Sequence, residues 1–360
     1  MNSDEFSRRR EQMGAGLPTR KLDAMLVTSP ANVRYLSGFT GSNGALLVLP
    51  GGGIFFTDPR YTIQSSREVS CPVKICKGPM LPAIAAAVSR KHIRRLGFER
   101  SHLKYDDFET LCSHIPGKSV LEPVMGWAES LRLIKSDCEM ALIRRSVQTN
   151  SRAFEQAVRR FKPGMRELDL AAEIDYRMRR LGADGPSFDT IVAAGERSAL
   201  PHAHPTDALI PNRGMILIDM GAFHNGYASD MTRVVFVGSP AAREKGVYRA
   251  VLEAQLAAID AVRPGVTTAY VDRQARRVLS RYKLDKAFVH STGHGLGLEI
   301  HELPRIGRKD KTVLQAGMAI TIEPGAYLEG FGGVRIEDTV AVTKNGCEVL
   351  TPTSKEPRVL

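Results

Sequence analysis

Two kinds of segment alternate in the first third of the chain. Short apolar runs, typical of buried strands, alternate with longer segments in which apolar residues recur at helical spacing. The predicted strands are residues 24–29, 44–50, 53–58, 73–76 and 94–99. The predicted helices are residues 82–92 and 105–115. Strands that alternate with helices in this way indicate an α/β domain.

Longer helical patterns begin after a junction at residues 128–135. Ser136 and Glu139 have the spacing of a helix capping box, and a helical pattern follows them. Further helices are predicted at residues 167–181, 241–262 and 268–282. We therefore predict an N-terminal domain of residues 1–130 and a second domain of residues 136–360. In the second domain, helices would cover one side of a curved antiparallel sheet.

One segment of the second half reads as a hairpin with an acid in each strand. Asp219 follows the apolar run MILI, and Asp230 precedes MTRVVFV. The turn between them contains Asn-Gly, a pair that suits positive φ. If the turn is centred between His224 and Asn225, the two acids lie opposite each other, with Cβ atoms about 4.5–5.5 Å apart.

The same pattern recurs about a hundred residues later, as a weak internal repeat. Glu323 ends one strand and Glu337 lies in the next, symmetrically about Gly330. Carboxylates this close among apolar residues need a proton or a cation between them. Four carboxylates match two divalent cations in charge, and hydrolytic two-metal sites place the ions about 3.5–4 Å apart. The alternative is that the acids pair with Arg233 and Arg335 on the same strands.

Six of the nine histidines lie between His202 and His301. His290 and His294 share with His301 a segment, FVHSTGHGLGLEIHELP, whose glycines argue against a helix. We predict a glycine-rich strand or loop that approaches some other group closely. Together with the acids, these histidines favour a metal site.

The segments LPHAHP, ILIDMGA, ASDMTR, STGHGLG, TIEPG and GVRIEDT occur in an order that resembles the M24 metallopeptidases. This is the family of prolidase, aminopeptidase P and methionine aminopeptidase. LDAMLVTSPANVRYLSGFTGSNGALLVLP resembles their creatinase-type N-terminal domain. The resemblance implies an α+β protein, with a pita-bread catalytic domain and a smaller α/β N-terminal domain. It also implies a homodimer.

The resemblance further implies a role for each candidate residue. The implied metal ligands are Asp219, Asp230, His294, Glu323 and Glu337. The implied catalytic residues are His202, which would steady the tetrahedral intermediate or shuttle a proton, His301, near the leaving group, and Glu323, which would accept a proton. The implied substrate-binding residues are His290 and Arg335. Oxygen-rich ligands with one imidazole suit Mn²⁺, with Co²⁺ or Zn²⁺ as alternatives, so we expect two such ions.

The implied reaction is hydrolysis of the Xaa-Pro bond at the N-terminus of dipeptides or short peptides. This bond lacks an N–H and carries a constrained ring, so it needs a dedicated pocket. Chain length favours a dipeptidase (prolidase) over an aminopeptidase P that acts on longer peptides. A non-enzymatic binding module on the same fold is disfavoured, because all five ligands are present.

Composition adds few constraints. The 360 residues are 43% hydrophobic and 25% charged, as in ordinary globular proteins. A net charge of +11 would suit nucleic acid, but the basic clusters are short and lack interleaved aromatic residues, so we expect no such partner. We expect no membrane span and no signal peptide, because no apolar run is long enough. Five cysteines without a CxxC motif indicate free thiols and a cytoplasmic protein.

Overall fold

The computed structural model describes residues 3–115 and 117–360. By their internal contacts these residues form two compact units. The first ends at Arg132, after a short helix at the predicted junction, and the second runs from Leu133 to Leu360.

A six-stranded sheet forms the centre of the first unit, in the order β4-β3-β2-β1-β5-β6. Its strands are β1 Ala24–Val27, β2 Gly44–Leu49, β3 Gly52–Thr57, β4 Val73–Ile75, β5 Arg95–Glu99 and β6 Val120–Val124. Strand β2 is antiparallel to both neighbours, and the remaining pairs are parallel. The helices are α1 Ser3–Ala15, α2 Pro30–Ser37, α3 Thr62–Glu68, α4 Met80–Arg90, α5 Tyr105–His114 and α6 Trp127–Arg132.

The first five strands and helices α4 and α5 lie within two residues of their predicted bounds. The apolar pattern missed strand β6, where Pro123 interrupts the run at the edge of the sheet, as proline often does in edge strands. It also missed helices α1 to α3. The α/β architecture predicted for this part of the chain is confirmed.

Four long helices and several short strands build the second unit. The helices are α7 Asp137–Val158, α8 Glu167–Arg180, α9 Ala242–Asp260 and α10 Thr268–Arg281. The strands before α9 are β7 Gly185–Pro186, β8 Ile191–Ala194, β9 Gly214–Met220, β10 Ala222–His224, β11 Tyr227–Ala228 and β12 Met231–Val237. Those after α10 are β13 Gly293–Gly295, β14 Glu302–Ile306, β15 Ala319–Ile322, β16 Gly325–Leu328, β17 Gly332–Arg335, β18 Asp338–Val342, β19 Cys347–Val349 and β20 Arg358–Val359.

Helices cover both faces of the sheet that contains β8, β9 and β12, so the prediction of helices on one side is wrong for this sheet. Met215 and Leu217 pack in a core with α9 and α10, whereas Ile216 and Ile218 pack in another with α7 and α8. Side chains of a strand alternate between faces, so continuous burial indicates two covered faces. Asp219 lies on the same face of β9 as Met215 and Leu217, because alternate residues of a strand share a face.

The predicted capping box begins α7, where Ser136 accepts from the amide of Glu139 and the Glu139 carboxylate accepts from the amide of Ser136. Polar side chains on the same helix hold the first hairpin. Ser146 donates to the carbonyl of Ala222 at 2.7 Å, and Asn150 donates to that of Met220 at 2.8 Å. These bonds satisfy carbonyl groups beside Gly221, where strand pairing is interrupted.

The five cysteines are free thiols, as expected. Within residues 3–115 and 117–360, we find no helix whose length and apolar character together would let it cross a membrane.

Candidate metal centre

The first hairpin has a different register from the one predicted. Its turn is centred between Asn225 and Gly226, both at positive φ, so Asp219 pairs with Thr232 and not with Asp230. The prediction of directly opposed acids is therefore wrong for this hairpin. A one-residue shift of the turn moves the partner by two positions, which leaves Asp230 on the same face as a diagonal neighbour of Asp219.

The second hairpin has the predicted register. Ile322 pairs with Asp338 on one side of the acids, and Gly325 pairs with Arg335 on the other. Glu323 therefore lies opposite Glu337. The ladder is interrupted at these two residues, so that both side chains lie where the pairing between strands is open.

Main-chain bonds join the two hairpins at the acids. The amide of Glu337 donates to the carbonyl of Thr232 at 3.2 Å, and the Thr232 hydroxyl donates to Oε2 of Glu337 at 2.7 Å. The Thr339 hydroxyl donates to the carbonyl of Asp230 at 2.9 Å. Backbone and threonine contacts thus fix how far apart the carboxylates lie.

His294 lies on β13, which packs backbone against backbone. A Cβ at Gly293 would lie 1.9 Å from the carbonyl oxygen of Thr321, and one at Gly295 would lie 2.0 Å from that of Leu303. Only glycine permits this approach, so the predicted close approach of the glycine-rich segment is confirmed. Of the two predicted conformations, strand and loop, residues 293–295 adopt the strand. Nδ1 of His294 lies 3.0 Å from the carbonyl oxygen of Gly295, which assigns the proton to Nδ1 and leaves Nε2 free to bind a metal.

The imidazole and the acids converge on one point. Nε2 of His294 lies 3.5 Å from Oδ2 of Asp230 and 3.3 Å from Oε1 of Glu323. Asp230, His294 and Glu337 each offer a ligand atom, and these atoms lie within 4.8 Å of one another. Asp230 and Glu337 are almost completely buried.

The carboxylates of this site are buried close to one another, which disfavours their charged forms. Burial, followed by the neighbouring carboxylates, raises the pKa of Asp230 and of Glu337 well above the usual range. Burial is also the main cause that raises the pKa of Glu323 to about 7. Burial lowers the pKa of His294, so its imidazole is neutral.

Three buried carboxylate oxygens have no hydrogen-bond partner among the described residues. They are Oδ1 of Asp219, Oδ1 of Asp230 and Oε1 of Glu337. Buried polar atoms without a partner are rare and need an explanation. Oxygen ligands with one imidazole nitrogen are a donor set that divalent cations accept, so the residues fit the implied metal ions.

The alternative of acid–arginine pairing holds for one acid. Arg335 donates to Oδ2 of Asp219 at 2.6 Å in a nearly buried ion pair, whereas Arg233 pairs with Asp338. Asp230 and Glu337 have no such ion pair in the described part of the chain. One arginine therefore compensates part of the negative charge and leaves the rest for cations.

A chain of hydrogen bonds continues from Arg335 to His290. Arg335 donates to the hydroxyl oxygen of Tyr327 at 2.6 Å, and this hydroxyl lies 2.9 Å from Nε2 of His290. Nδ1 of His290 lies 2.7 Å from the carbonyl oxygen of Ser291, so Nδ1 carries the ring proton. Nε2 therefore accepts a hydrogen bond from the Tyr327 hydroxyl. Burial lowers the pKa of His290 to about 4 and raises that of Tyr327 to about 12.

His301 and His202 are exposed beside this centre. The ring of His301 lies 4.4 Å from that of His294, between centroids, at an interplanar angle of 68°. His202 follows Pro201, whose carbonyl accepts from Arg335 at 3.3 Å. All the candidate residues thus belong to segments that meet at this one centre.

The chain matches the model of metallopeptidase family M24 over residues 141–344, which is more than half of its length. The chain belongs to metallopeptidase family M24. Residues 9–134 match the creatinase/prolidase N-terminal domain. The predicted fold, a pita-bread catalytic domain with a smaller creatinase-like N-terminal domain, is confirmed by these two matches and by a solved Xaa-Pro dipeptidase structure that matches the whole chain.

Named relatives cover nearly the whole of this M24 chain. It is 37% identical over 350 residues to an Xaa-Pro dipeptidase of Pyrococcus furiosus, covering 97% of this chain and 99% of the relative. The structure of an Xaa-Pro dipeptidase from Bacillus anthracis matches with a TM-score of 0.95 at 37% identity, over 100% of both chains. An X-Pro aminopeptidase from Thermotoga maritima MSB8 matches with a TM-score of 0.91 at 34% identity, over 98% of this chain and 100% of the other.

Sequence reasoning missed two residues that support the centre. Tyr327 connects Arg335 with His290, and Thr232 accepts from Nε of Arg335 while it donates to Glu337. Two features of the sequence could have identified these residues, namely the spacing of side chains along a strand and the repetition between the two hairpins. Tyr327 lies four residues after Glu323, and a threonine follows the second acid by two positions in each hairpin.

Proposed function

We propose that this protein hydrolyses Xaa-Pro dipeptides with the help of two divalent metal ions. The observation that carries the proposal is the set of three unpaired buried carboxylate oxygens around a neutral imidazole. The relatives that match almost the whole chain and are named Xaa-Pro dipeptidases support the choice of substrate.

The proposed ligands are Asp219, Asp230, His294, Glu323 and Glu337. Asp219, Asp230 and Glu337 each have one buried carboxylate oxygen without a hydrogen-bond partner among the described residues, and these atoms would be available to the ions. When bound, such ions act as Lewis acids that polarise a carbonyl and acidify a water. We propose Mn²⁺ as the native metal, since the ligands are mostly oxygen atoms.

The protein's own groups handle the protons. Glu323 accepts the proton of the attacking water as a general base. His202 donates a hydrogen bond to the oxygen on which negative charge develops. His301 assists the departing proline nitrogen from its position beside His294.

His290 and Arg335 shape the pocket for the substrate. Arg335 donates hydrogen bonds to four groups, which are Asp219, Tyr327, Thr232 and the carbonyl of Pro201. It therefore fixes the orientation of Asp219 and, through Tyr327, of the neutral His290 ring.

Residues 1–130 and 136–360 are the proposed domains, and the proposed assembly is a homodimer. The five free thiols of the chain support the proposal that the protein is located in the cytoplasm.

The activity is tested with Ala-Pro and Ala-Pro-Ala as substrates in the presence of Mn²⁺. We expect release of proline from Ala-Pro. The Asp230→Asn and Glu323→Gln variants should lose turnover, and elemental analysis should show less bound metal in both. The control is Glu329→Gln, which changes an exposed glutamate in the loop of the same hairpin and should leave both quantities unchanged.

The second candidate is an aminopeptidase P that acts on longer peptides, which the similarity to the Thermotoga maritima enzyme favours. Faster cleavage of Ala-Pro-Ala than of Ala-Pro would support it. Metal-loaded protein that cleaves neither peptide would refute both activities and favour a binding module on this fold.

A further inference from the structure

A cavity of about 520 Å³ lies in the N-terminal unit, at one edge of its sheet. Thr28 follows β1, Asp58 follows β3, Cys76 follows β4 and Leu103 follows β5, and all four line the cavity. It therefore opens at the carboxyl ends of these strands, the edge at which open α/β sheets bind ligands. Its volume lies within the usual range for small-molecule sites, about 300–1,000 Å³.

The topology reverses direction at the same place. The chain moves outward from β3 to β4 at one edge of the sheet, then returns through α4 to β5 on the far side of β1. Helix α4 begins in the cavity wall, where Met80 and Leu81 contribute apolar surface, and Val33 adds more from α2. The cavity thus has the apolar walls and the fold position of a binding site.

Its charged groups are of one sign. Asp58 and Asp107 line the cavity, whereas no lysine, arginine or histidine of the described residues does. Arg60 donates to both oxygens of Asp58 at 3.0 and 2.8 Å, and Asn43 donates to one of them. The charge of Asp58 is therefore compensated by the protein.

Asp107 differs from Asp58 in having no partner. In residues 3–115 and 117–360 its half-buried carboxylate makes no ion pair and no side-chain hydrogen bond. Asp106, in the same first turn of α5, does not line the cavity. Both acids lie in the first turn of α5, so a favourable interaction with the helix N-terminus does not by itself explain why one of them faces a cavity.

We propose that this cavity binds a small organic amine, with its protonated nitrogen at Asp107 and its apolar body against Val33, Met80 and Leu81. Charge complementarity selects a cation, and the apolar walls select an organic cation over a hydrated metal ion. The cavity is lined by residues of the N-terminal unit, and this proposal does not depend on the proposed peptidase activity.

The test uses the full-length protein with ¹³C-labelled methionine methyl groups, since Met80 lies in the cavity wall. The Met80 signal is assigned by its loss in Met80→Leu. We expect benzylamine to shift this signal in a saturable way. Benzyl alcohol, which has nearly the same shape but no charge, should bind about tenfold more weakly, as expected for the loss of one charge-assisted contact.

Two variants test whether Asp107 supplies the negative charge that the amine contacts. Asp107→Asn should weaken benzylamine about tenfold and bring it close to benzyl alcohol, while Asp106→Asn should leave its affinity unchanged. Absence of a saturable Met80 shift would overturn the proposal, as would equal affinity for amine and alcohol or equal effects of the two variants. Hydrolysis of Ala-Pro is measured on the same samples, so failure of one proposal is distinguishable from failure of the other.

Discussion

The carboxylates of the metal centre should make the stability of the metal-free protein depend on pH, and Glu323→Gln isolates one of them. Burial raises the pKa of Glu323 from 4.5 to about 7 when no metal is bound. The folded protein then holds this proton more tightly than the unfolded chain. The resulting stability is fully present below the unfolded pKa and is lost as the pH rises through the folded one.

The magnitude follows from the shift. Each pKa unit corresponds to about 1.36 kcal/mol, so Glu323 should contribute about 2.5 kcal/mol less at about pH 8 than at about pH 5. His290 opposes this trend, because its pKa is lowered to about 4 and its contribution is lost as the pH falls. Both proteins contain His290, so its contribution cancels in their difference.

The assay is urea unfolding of chelator-treated wild-type and Glu323→Gln protein across this pH range. Relative to the wild-type protein, the variant should gain about 2.5 kcal/mol in unfolding free energy from about pH 5 to about pH 8. Mn²⁺ should restore stability to the wild-type protein at the higher pH, because a cation replaces the proton.

Two results would refute this reasoning. One is a difference between the two proteins that stays constant with pH within the error of extrapolation. The other is a similar pH-dependent gain in Glu329→Gln, where an exposed side chain loses little hydration on folding.

Three further substitutions test single contacts, each measured by urea unfolding. Gly295→Ala should cost about 3 kcal/mol or more, because its Cβ would lie 2.0 Å from the carbonyl oxygen of Leu303. Arg335→Met should cost the metal-free protein about 3–5 kcal/mol, since it leaves Asp219 buried without its partner, and metal should recover part of this loss. Ser136→Ala should cost about 1 kcal/mol through loss of the capping box and leave the kcat for Ala-Pro unchanged.

Each of these predictions has a clear contrary result. Full stability of Gly295→Ala would mean that β13 does not pack against the neighbouring backbone. An Arg335→Met protein as stable as the wild type would show that the guanidinium does not compensate Asp219. A fall in kcat for Ser136→Ala would show that the start of α7 is coupled to the reacting groups.

Apolar periodicity located strands β1 to β5 and the four long helices of the second unit, because their apolar residues recur at the spacing of a buried face. Strands β9 and β12 are buried along almost their whole length, so their sequences do not alternate between apolar and polar residues. The apolar pattern therefore did not show that helices pack on the second face as well. In β6 a proline interrupts the apolar run, so the apolar pattern did not predict this edge strand.

The candidate site was largely predictable because its acids recur in two similar hairpins. The register of the first hairpin was not, since Asn-Gly fits a turn centred on either side of Asn225, and only tertiary contacts decide between them. The Arg335–Asp219 pair also depends on strands that lie more than a hundred residues apart. Sequence spacing alone carries no information about such a contact.

The bonds between Thr232 and Glu337 join positions 105 residues apart, and this distance bears on biosynthesis. While the chain leaves the ribosome, the N-terminal unit and the first hairpin emerge long before the second hairpin. Asp219 and Asp230 therefore cannot meet Glu337 until translation has passed residue 337. The proposed set of metal ligands is therefore complete only after nearly all of the polypeptide has been synthesised.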